Sequence, residues 1–329
     1  MKRKIAVIGS NSFSGSDFID LLLEDPQNEV IGLSRSPEKS AVFLPYKRHK
    51  NPSFRFHQLD LNRDMPKILE TMNTFEPEYV VNFAAQSEVA PSWENPGQWF
   101  QTNAVALSTL ADALREARYL KRYVHISSPE VYGTCRGIDE TAPLCPSTPY
   151  AASKAAGDLF LFALHKNFDF PLVMIRSTNV YGAHQQLFKI IPRSVIYLRL
   201  GKTIELHGGG AAIKSFIHIR DISRGTLAAM EKGRSGEIYH LSPEKGVAVR
   251  EVVEKICLQM KKPFETAVQH VGERQGQDSV YEINSAKARS EFGWAPQISL
   301  ETGLQGVVDW VNAHWETIQS QPLTYQHKP

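Results

Sequence analysis

The chain has 329 residues, long enough for one large or two medium domains, and its 37 basic against 35 acidic side chains leave a formal net charge of +2. That balance supplies no field for nucleic acid or an anionic membrane, and no apolar run reaches membrane-spanning length. Cys135, Cys145 and Cys257 are odd in number and lack metal-ligand spacing, so the chain reads as a soluble cytoplasmic protein with free thiols and no metal.

The first half alternates short apolar runs with amphipathic stretches. Strands are expected at 5–9, 30–34, 54–58, 79–84, 123–127 and 172–176, with helices near 15–23, 65–74, 98–117 and 150–165 between them. Such β-α alternation predicts an α/β fold with a doubly wound parallel sheet of the Rossmann type. The pattern changes after Gly182. A helix at 191–200 leads to the turn Gly208-Gly209-Gly210, then strands at 216–219 and 238–241 bracket a helix at 221–231. Helices near 249–260, 285–292 and 300–314 close the chain. The expected division is a dinucleotide-binding domain at 1–182, rejoined by 216–242, and a smaller α/β substrate domain formed mainly by 183–329.

Between the first strand and the first helix stands Gly9-Ser10-Asn11-Ser12-Phe13-Ser14-Gly15. Gly9 permits a tight turn, Gly15 lets the helix pack close to the strand, and the helix N-terminus presents N–H groups to a diphosphate. Asn11, Ser12, Phe13 and Ser14 join the two glycines as candidate contacts, with Ser12 where the usual spacing has a central glycine. The second strand ends in Ser34-Arg35 instead of the acidic residue that bonds ribose hydroxyls. No carboxylate there repels a 2′-phosphate and Arg35 can pair with one, which favours NADP, with NAD the alternative. Asp60-Leu61 follows the third strand, where a carboxylate can accept from the adenine amino group. Ala84-Ala85, after the fourth strand, lets the backbone approach the cofactor.

Tyr150 and Lys154 are spaced to share one helix face. An ammonium held there lowers the phenol's pKa toward neutrality and makes Tyr150 an acid/base for an alcohol proton. Ser128 ends the preceding strand, and Glu130 follows it by two residues.

Taken in order, these residues resemble the extended short-chain dehydrogenase/reductase family, specifically its nucleotide-sugar epimerases and dehydratases, over nearly the whole chain. Ala84-Ala85-Gln86-Ser87, Thr102-Asn103, Asn179-Val180-Tyr181-Gly182, the stretch from Phe216 to Asp221, and the stretch from Phe292 to Pro296 extend the likeness. Glu130, ahead of Val131-Tyr132-Gly133, is similar to the glutamate of hexose 4,6-dehydratases and UDP-glucuronate decarboxylases; simple 4-epimerases usually have a small residue there. The resemblance implies a 4,6-dehydratase acting on a nucleotide-diphosphate sugar. In that role Tyr150, Ser128 and Lys154 serve oxidation at C4, and Glu130 removes the C5 proton. Lys154 and Tyr150 also meet the cofactor, and Ser87, Asn179, Lys214 and Arg274 meet the substrate. It further implies a homodimer built on helices 98–117 and 150–165. Pro129 departs from the pattern. The dTDP-glucose enzymes carry a proton-donating aspartate there, whereas GDP-mannose dehydratases, with serine at that position and a similar Ser34-Arg35, are nearer this chain. An epimerase or uronate decarboxylase on the same scaffold is the alternative.

Overall fold

The computed structural model describes residues 2–50, 52–272 and 280–328. Seven strands form the main sheet: β1 (Arg3–Ile8), β2 (Asn28–Ser34), β3 (Phe54–Gln58), β4 (Tyr79–Asn82), β5 (Arg122–Ile126), β6 (Leu172–Ser177) and β7 (Glu237–Leu241). Every pairing is parallel and the order is β7-β6-β5-β4-β1-β2-β3. A parallel sheet is covered on both faces, so its strands are continuous apolar runs rather than alternations. In β1, Ile5, Ala6, Val7 and Ile8 are all buried. The chain winds outward from β1 to β3, then returns to the other side of β1 at β4. That reversal opens a crevice at the carboxyl ends of β1 and β4, where ligands bind in such sheets.

The principal helices are α1 (Phe13–Leu22), α2 (Met65–Phe75), α3 (Leu107–Leu114), α4 (Pro149–Phe168), α5 (Ile190–Arg199), α6 (Ile219–Lys232), α7 (Val249–Gln259) and α8 (Leu300–Ala313). Phe18, Ile19 and Leu22 of α1, with Ile222 and Met230 of α6, close one sheet face. Ile68 and Met72 of α2, Leu107 and Leu110 of α3, and Leu161 and Leu164 of α4 close the other. A third core joins α5, α7 and α8 around Val195, Val253 and Val307. No helix of the described residues is long and apolar enough to cross a membrane.

Two departures from the expected elements bear on the site. The helix expected at 98–117 is broken into Pro96–Phe100, a π-helical turn at Gln101–Ala106, and α3. The cause is Asn103, whose amide bonds the backbone N–H and carbonyl of Gln86, each at 2.9 Å, and Ser153 Oγ at 2.9 Å. Such π turns concentrate at functional positions. Short strands at Cys135–Ile138, Asn179–Tyr181, Ile204–His207, Ile213–Lys214 and Val280–Ile283 were also not anticipated. They are too short to show a period-two pattern.

Helix α1 is pinned to the rest of the fold by Asp20. Its buried carboxylate accepts from Arg48 at 2.7 and 2.9 Å and from Arg220 of α6, with His49 Nε2 at 3.0 Å. Burial alone raises the pKa of Asp20, but the Arg48 and Arg220 hydrogen bonds outweigh it and hold the group below its ordinary value. The helix whose N-terminus faces the crevice is therefore rigidly placed.

Candidate active site

The turn between β1 and α1 is as tight as the sequence predicts. Gly9 adopts φ +83°, and a Cβ on it would lie 2.7 Å from the backbone nitrogen of Ala84. A Cβ on Gly15 would lie 2.3 Å from the Gly9 carbonyl oxygen. Ser12 has its own reason for replacing a glycine: it is the N-cap of α1, its Oγ accepting from the Gly15 N–H at 3.0 Å. Asn11 ties the turn to the loop after β2. Its N–H donates to Ser34 Oγ at 3.2 Å and its side-chain amide donates to the carbonyls of Ser36 and Pro37 at 2.8 and 3.0 Å.

Of the expected cofactor contacts, Gly9, Asn11, Ser12, Ser34, Arg35, Asp60, Leu61, Ala84 and Ala85 all line the crevice. Phe13, Ser14 and Gly15 form the first turn of α1 behind that wall, and Phe13 packs into the core. Ser87, expected to meet the substrate, lines this crevice instead. Phe83, Thr102 and Gln186 also line it and were not anticipated. Neither was the end of the chain. The Lys328 carbonyl accepts from Arg35 Nη2 at 3.0 Å and from Gln86 Nε2 at 2.8 Å. The His327 ring stacks on buried Trp99, centroids 5.1 Å apart and 12° from parallel. No motif marks that segment, so only the fold brings it there.

Ser128 leaves β5 and caps a short 3₁₀ turn, Pro129–Tyr132, accepting from the Glu130 N–H at 3.2 Å. Pro129 is the first residue of that turn, where a missing N–H costs nothing. Helix α4 is capped by Thr148, whose Oγ1 accepts from the Ala151 N–H at 3.1 Å, and this delivers Tyr150 on the first turn and Lys154 on the second. Both side chains are buried.

The Tyr150 phenol is raised from its ordinary value, chiefly by burial and next by the negative charge of Glu130; a hydrogen bond with Ser128 opposes the shift. Ser128, Glu130 and Tyr150 therefore converge as expected, but the phenol is not pre-ionised. The correction has a geometric cause. Lys154 Nζ donates to the Ile126 carbonyl at 2.8 Å and lies 3.1 Å from His125 Nε2. The ammonium is tied to β5, and burial pushes it down to about 8, with Asp158 resisting and Arg176 adding to the shift.

A second cavity of about 470 Å³ is lined by the expected Asn179 and Lys214, together with Glu88, Phe188, Lys189, Arg193 and His207. Asn179 Oδ1 accepts from the Tyr281 hydroxyl at 2.7 Å, and Lys214 Nζ sits 4.2 Å from the centre of the Tyr281 ring. Arg274 lies outside the described residues. Lys189 and Arg193 were missed, although two cations four apart at the start of a helix are a usable signal for an anionic ligand. Ser87 borders the crevice and its neighbour Glu88 borders the cavity, so one short segment of chain serves both. Glu88 also acts on Tyr150, raising its pKa further, and pairs with Lys189 at 2.7 Å.

Known proteins share the sequence and the fold of this chain. The family model described as GDP-mannose 4,6 dehydratase matches residues 7–307. A dTDP-glucose 4,6-dehydratase from Haemophilus influenzae is 31% identical, over 93% of this chain and 97% of the relative. One from Neisseria gonorrhoeae is 30% identical, over 94% of this chain and 95% of the relative. A dTDP-glucose 4,6-dehydratase from Streptomyces venezuelae, solved with NAD and TYD bound, superposes with a TM-score of 0.88 at 30% identity, covering 95% of this chain and 98% of that one.

Proposed function

This chain belongs to the GDP-mannose 4,6-dehydratase family, and on that footing we propose that it is a cytoplasmic enzyme converting a nucleotide-diphosphate hexose into the 4-keto-6-deoxy sugar. The observation that carries the reading is the 3₁₀ turn capped by Ser128, which holds the carboxylate of Glu130 two residues from the serine that hydrogen-bonds the Tyr150 phenol. Alcohol oxidation alone has no use for a second anion beside its acid/base. Elimination of water does, because the ketone at C4 acidifies C5 and a base must then take that proton.

We assign the part of the chain up to Gly182, with 216–242, to the dinucleotide, and the remainder mainly to the nucleotide sugar. The crevice fits a nicotinamide dinucleotide: it runs from Arg35 past the Gly9 turn to Ser87, and a side chain at Gly9 would drive the turn into Ala84. Gly9, Asn11, Ser12, Ser34, Arg35, Asp60, Leu61, Ala84 and Ala85 would hold it, with Phe13, Ser14 and Gly15 supporting the turn from behind and Tyr150 and Lys154 at its nicotinamide end. Bound there, it would supply reversible hydride exchange with the sugar, first at C4 and then at C6. Asn179, Lys214 and Arg274 hold the sugar nucleotide, and Ser87 stands where the two ligands meet.

The chain's own residues then move protons. Tyr150 is a neutral phenol in the free chain, so its own proton first leaves to solvent, which the positive charge of an oxidised nicotinamide would favour. The phenolate then takes the proton of the C4 hydroxyl while Ser128 donates to the carbonyl oxygen as it forms. Two neighbouring anions disfavour each other, so a phenolate beside ionised Glu130 is relieved when either takes up a proton. Tyr150 does so first, from O4, and Glu130 second, from C5. Pro129 offers no proton. Glu130, once protonated, passes its proton to the leaving C6 hydroxyl, which departs as water. As hydride reaches C6, a solvent proton relayed by Glu130 returns to C5, and Tyr150 releases the O4 proton to solvent.

Ser34 and Arg35, which stand at the end of β2 in place of an acidic residue, support NADP as the dinucleotide. The dimer is supported by exposed apolar side chains on the expected helices: Phe100, Val105 and, at 60% exposure, Leu159 of α4. Those side chains are the apolar surface that such a dimer would cover.

Three outcomes are expected. Incubated in D2O with a panel of nucleotide hexoses and followed by NMR, the protein should yield a new C6 methyl group and deuterium at C5; an inverted hydroxyl with no methyl would instead establish an epimerase. Arg35→Ala should weaken NADP binding about tenfold or more, measured by titration calorimetry, while leaving NAD almost unchanged; equal losses for both would remove Arg35 from discrimination. Leu159→Lys paired with Val105→Lys should shift a dimer to monomer in analytical ultracentrifugation, and an unchanged dimer would place the interface elsewhere.

A further inference from the structure

Residues 325–328 form no helix or strand, yet they are laid along the protein in a definite order. Leu323, Tyr325 and His327 are half-buried while Thr324, Gln326 and Lys328 are exposed, the alternation of an extended chain with one side turned inward. Leu323 packs on the third core. Tyr325 meets the ring of Phe188, a residue of the second cavity, edge-on with centroids 5.4 Å apart. His327, lying flat on Trp99, accepts at Nδ1 from the Tyr325 hydroxyl at 3.1 Å and donates through Nε2 to the Gln98 side-chain carbonyl. The Lys328 carbonyl then takes Arg35 Nη2 and Gln86 Nε2 together.

Those last two bonds fix where the segment runs. Arg35 follows β2 and Gln86 follows β4, the strands on either side of β1, and both residues line the crevice. One carbonyl shared by the two walls therefore spans the space between them. The charges gathered at this place are of one sign. Arg35 is bonded to the backbone of Lys328, and Lys39 is held below its ordinary value chiefly by burial and next by the charge of Lys328. Like charges so placed repel, and an anion among them relieves the repulsion. A guanidinium offers five N–H donors in a planar fork, so it can hold a carbonyl and a phosphate at once. The segment and an anionic ligand thus support one another instead of competing for Arg35.

We propose that residues 323–328 are part of the dinucleotide site, a strap that closes over the adenosine half of a bound nicotinamide dinucleotide and slows its escape. This rests on reading the crevice as the dinucleotide site. To admit the ligand the strap must lift, and its construction allows that. Its anchors are ring contacts and single hydrogen bonds, with no ladder or helix to break at 325–328, and such segments open at low cost. Closure and binding are linked reciprocally: whatever factor the closed strap adds to dinucleotide affinity, the dinucleotide adds to closure.

That reciprocity supplies the test. Chymotrypsin can cut after Tyr325 only when the strap has lifted, so loss of residues 326–329, followed by intact-mass spectrometry, reports the open fraction. On the wild-type chain, saturating NADP should slow this cut about tenfold or more. A cut that NADP leaves unchanged overturns the proposal, and one that NADP hastens overturns it by making the segment a competitor. The converse measurement uses the full chain carrying Tyr325→Ala and His327→Ala, which loses the contacts with Phe188 and Trp99. NADPH should leave this variant about tenfold faster than wild type, timed by its fluorescence in stopped flow; release at the wild-type rate overturns the proposal. The cleavage assay needs no variant, so it decides the matter even where the double variant fails to fold. Calorimetry separates the two claims. A wild-type chain that binds neither NADP nor NAD refutes the crevice reading and the strap with it, whereas binding with an unslowed cut refutes the strap alone.

Discussion

Burying the ammonium of Lys154 is the constraint on which the rest of the site depends. With only 2% of the residue exposed, the charge has to be solvated by protein, and the Ile126 carbonyl at the end of β5 is a principal solvating group. That requirement fixes α4 against the sheet. It also fixes where β5 may end, and hence where Ser128 emerges to cap the turn that carries Glu130. The close approach of α4 to the π turn, where a Cβ on Gly157 would lie 2.4 Å from the Asn103 carbonyl, belongs to the same arrangement. Asn103 in turn holds the backbone of Gln86, between the crevice and the second cavity.

The functional consequence is a division of labour between neighbouring charges. Lys154 is tied to the interior, so the phenol of Tyr150 is governed mainly by burial and by Glu130. Ser128 is the hydrogen-bonding partner that moderates both influences. Once the phenol has given up its own proton, a site arranged this way favours proton uptake at two adjacent positions in turn, which is what oxidation at one carbon followed by elimination at the next demands. Pro129 fits the same picture, as a residue chosen for the start of a turn rather than for proton donation.

Much of this was legible in the sequence because the signals were local. Strands covered on both faces appear as unbroken apolar runs, which is why the order of β-α units could be read from β1 to β6. The crevice residues follow from strand ends, and strand ends are visible. What escaped were features set by partners distant in sequence. The break in the helix at Gln101–Ala106 depends on Asn103 reaching Gln86, and nothing within the helix announces it. Strands such as Ile213–Lys214 are too short to carry a pattern. The spacing from Tyr150 to Lys154 was read correctly as one face of a helix, yet the inference that the lysine lowers the phenol's pKa failed, because His125 and Ile126 draw the ammonium toward β5. The next member of that face, Asp158, was equally visible, but its meaning depends on Arg176 from another strand.

The central claim is that the Tyr150 phenol in the dinucleotide-free protein is held protonated, with Lys154 serving the interior. It is tested most directly by following the ring carbon that bears the hydroxyl in ¹³C-tyrosine-labelled protein as pH is raised, with Tyr150→Phe identifying the signal. The account predicts no ionisation of Tyr150 up to its ordinary value of 10.0. A titration midpoint near neutrality would contradict it and restore the lysine as the phenol's direct partner.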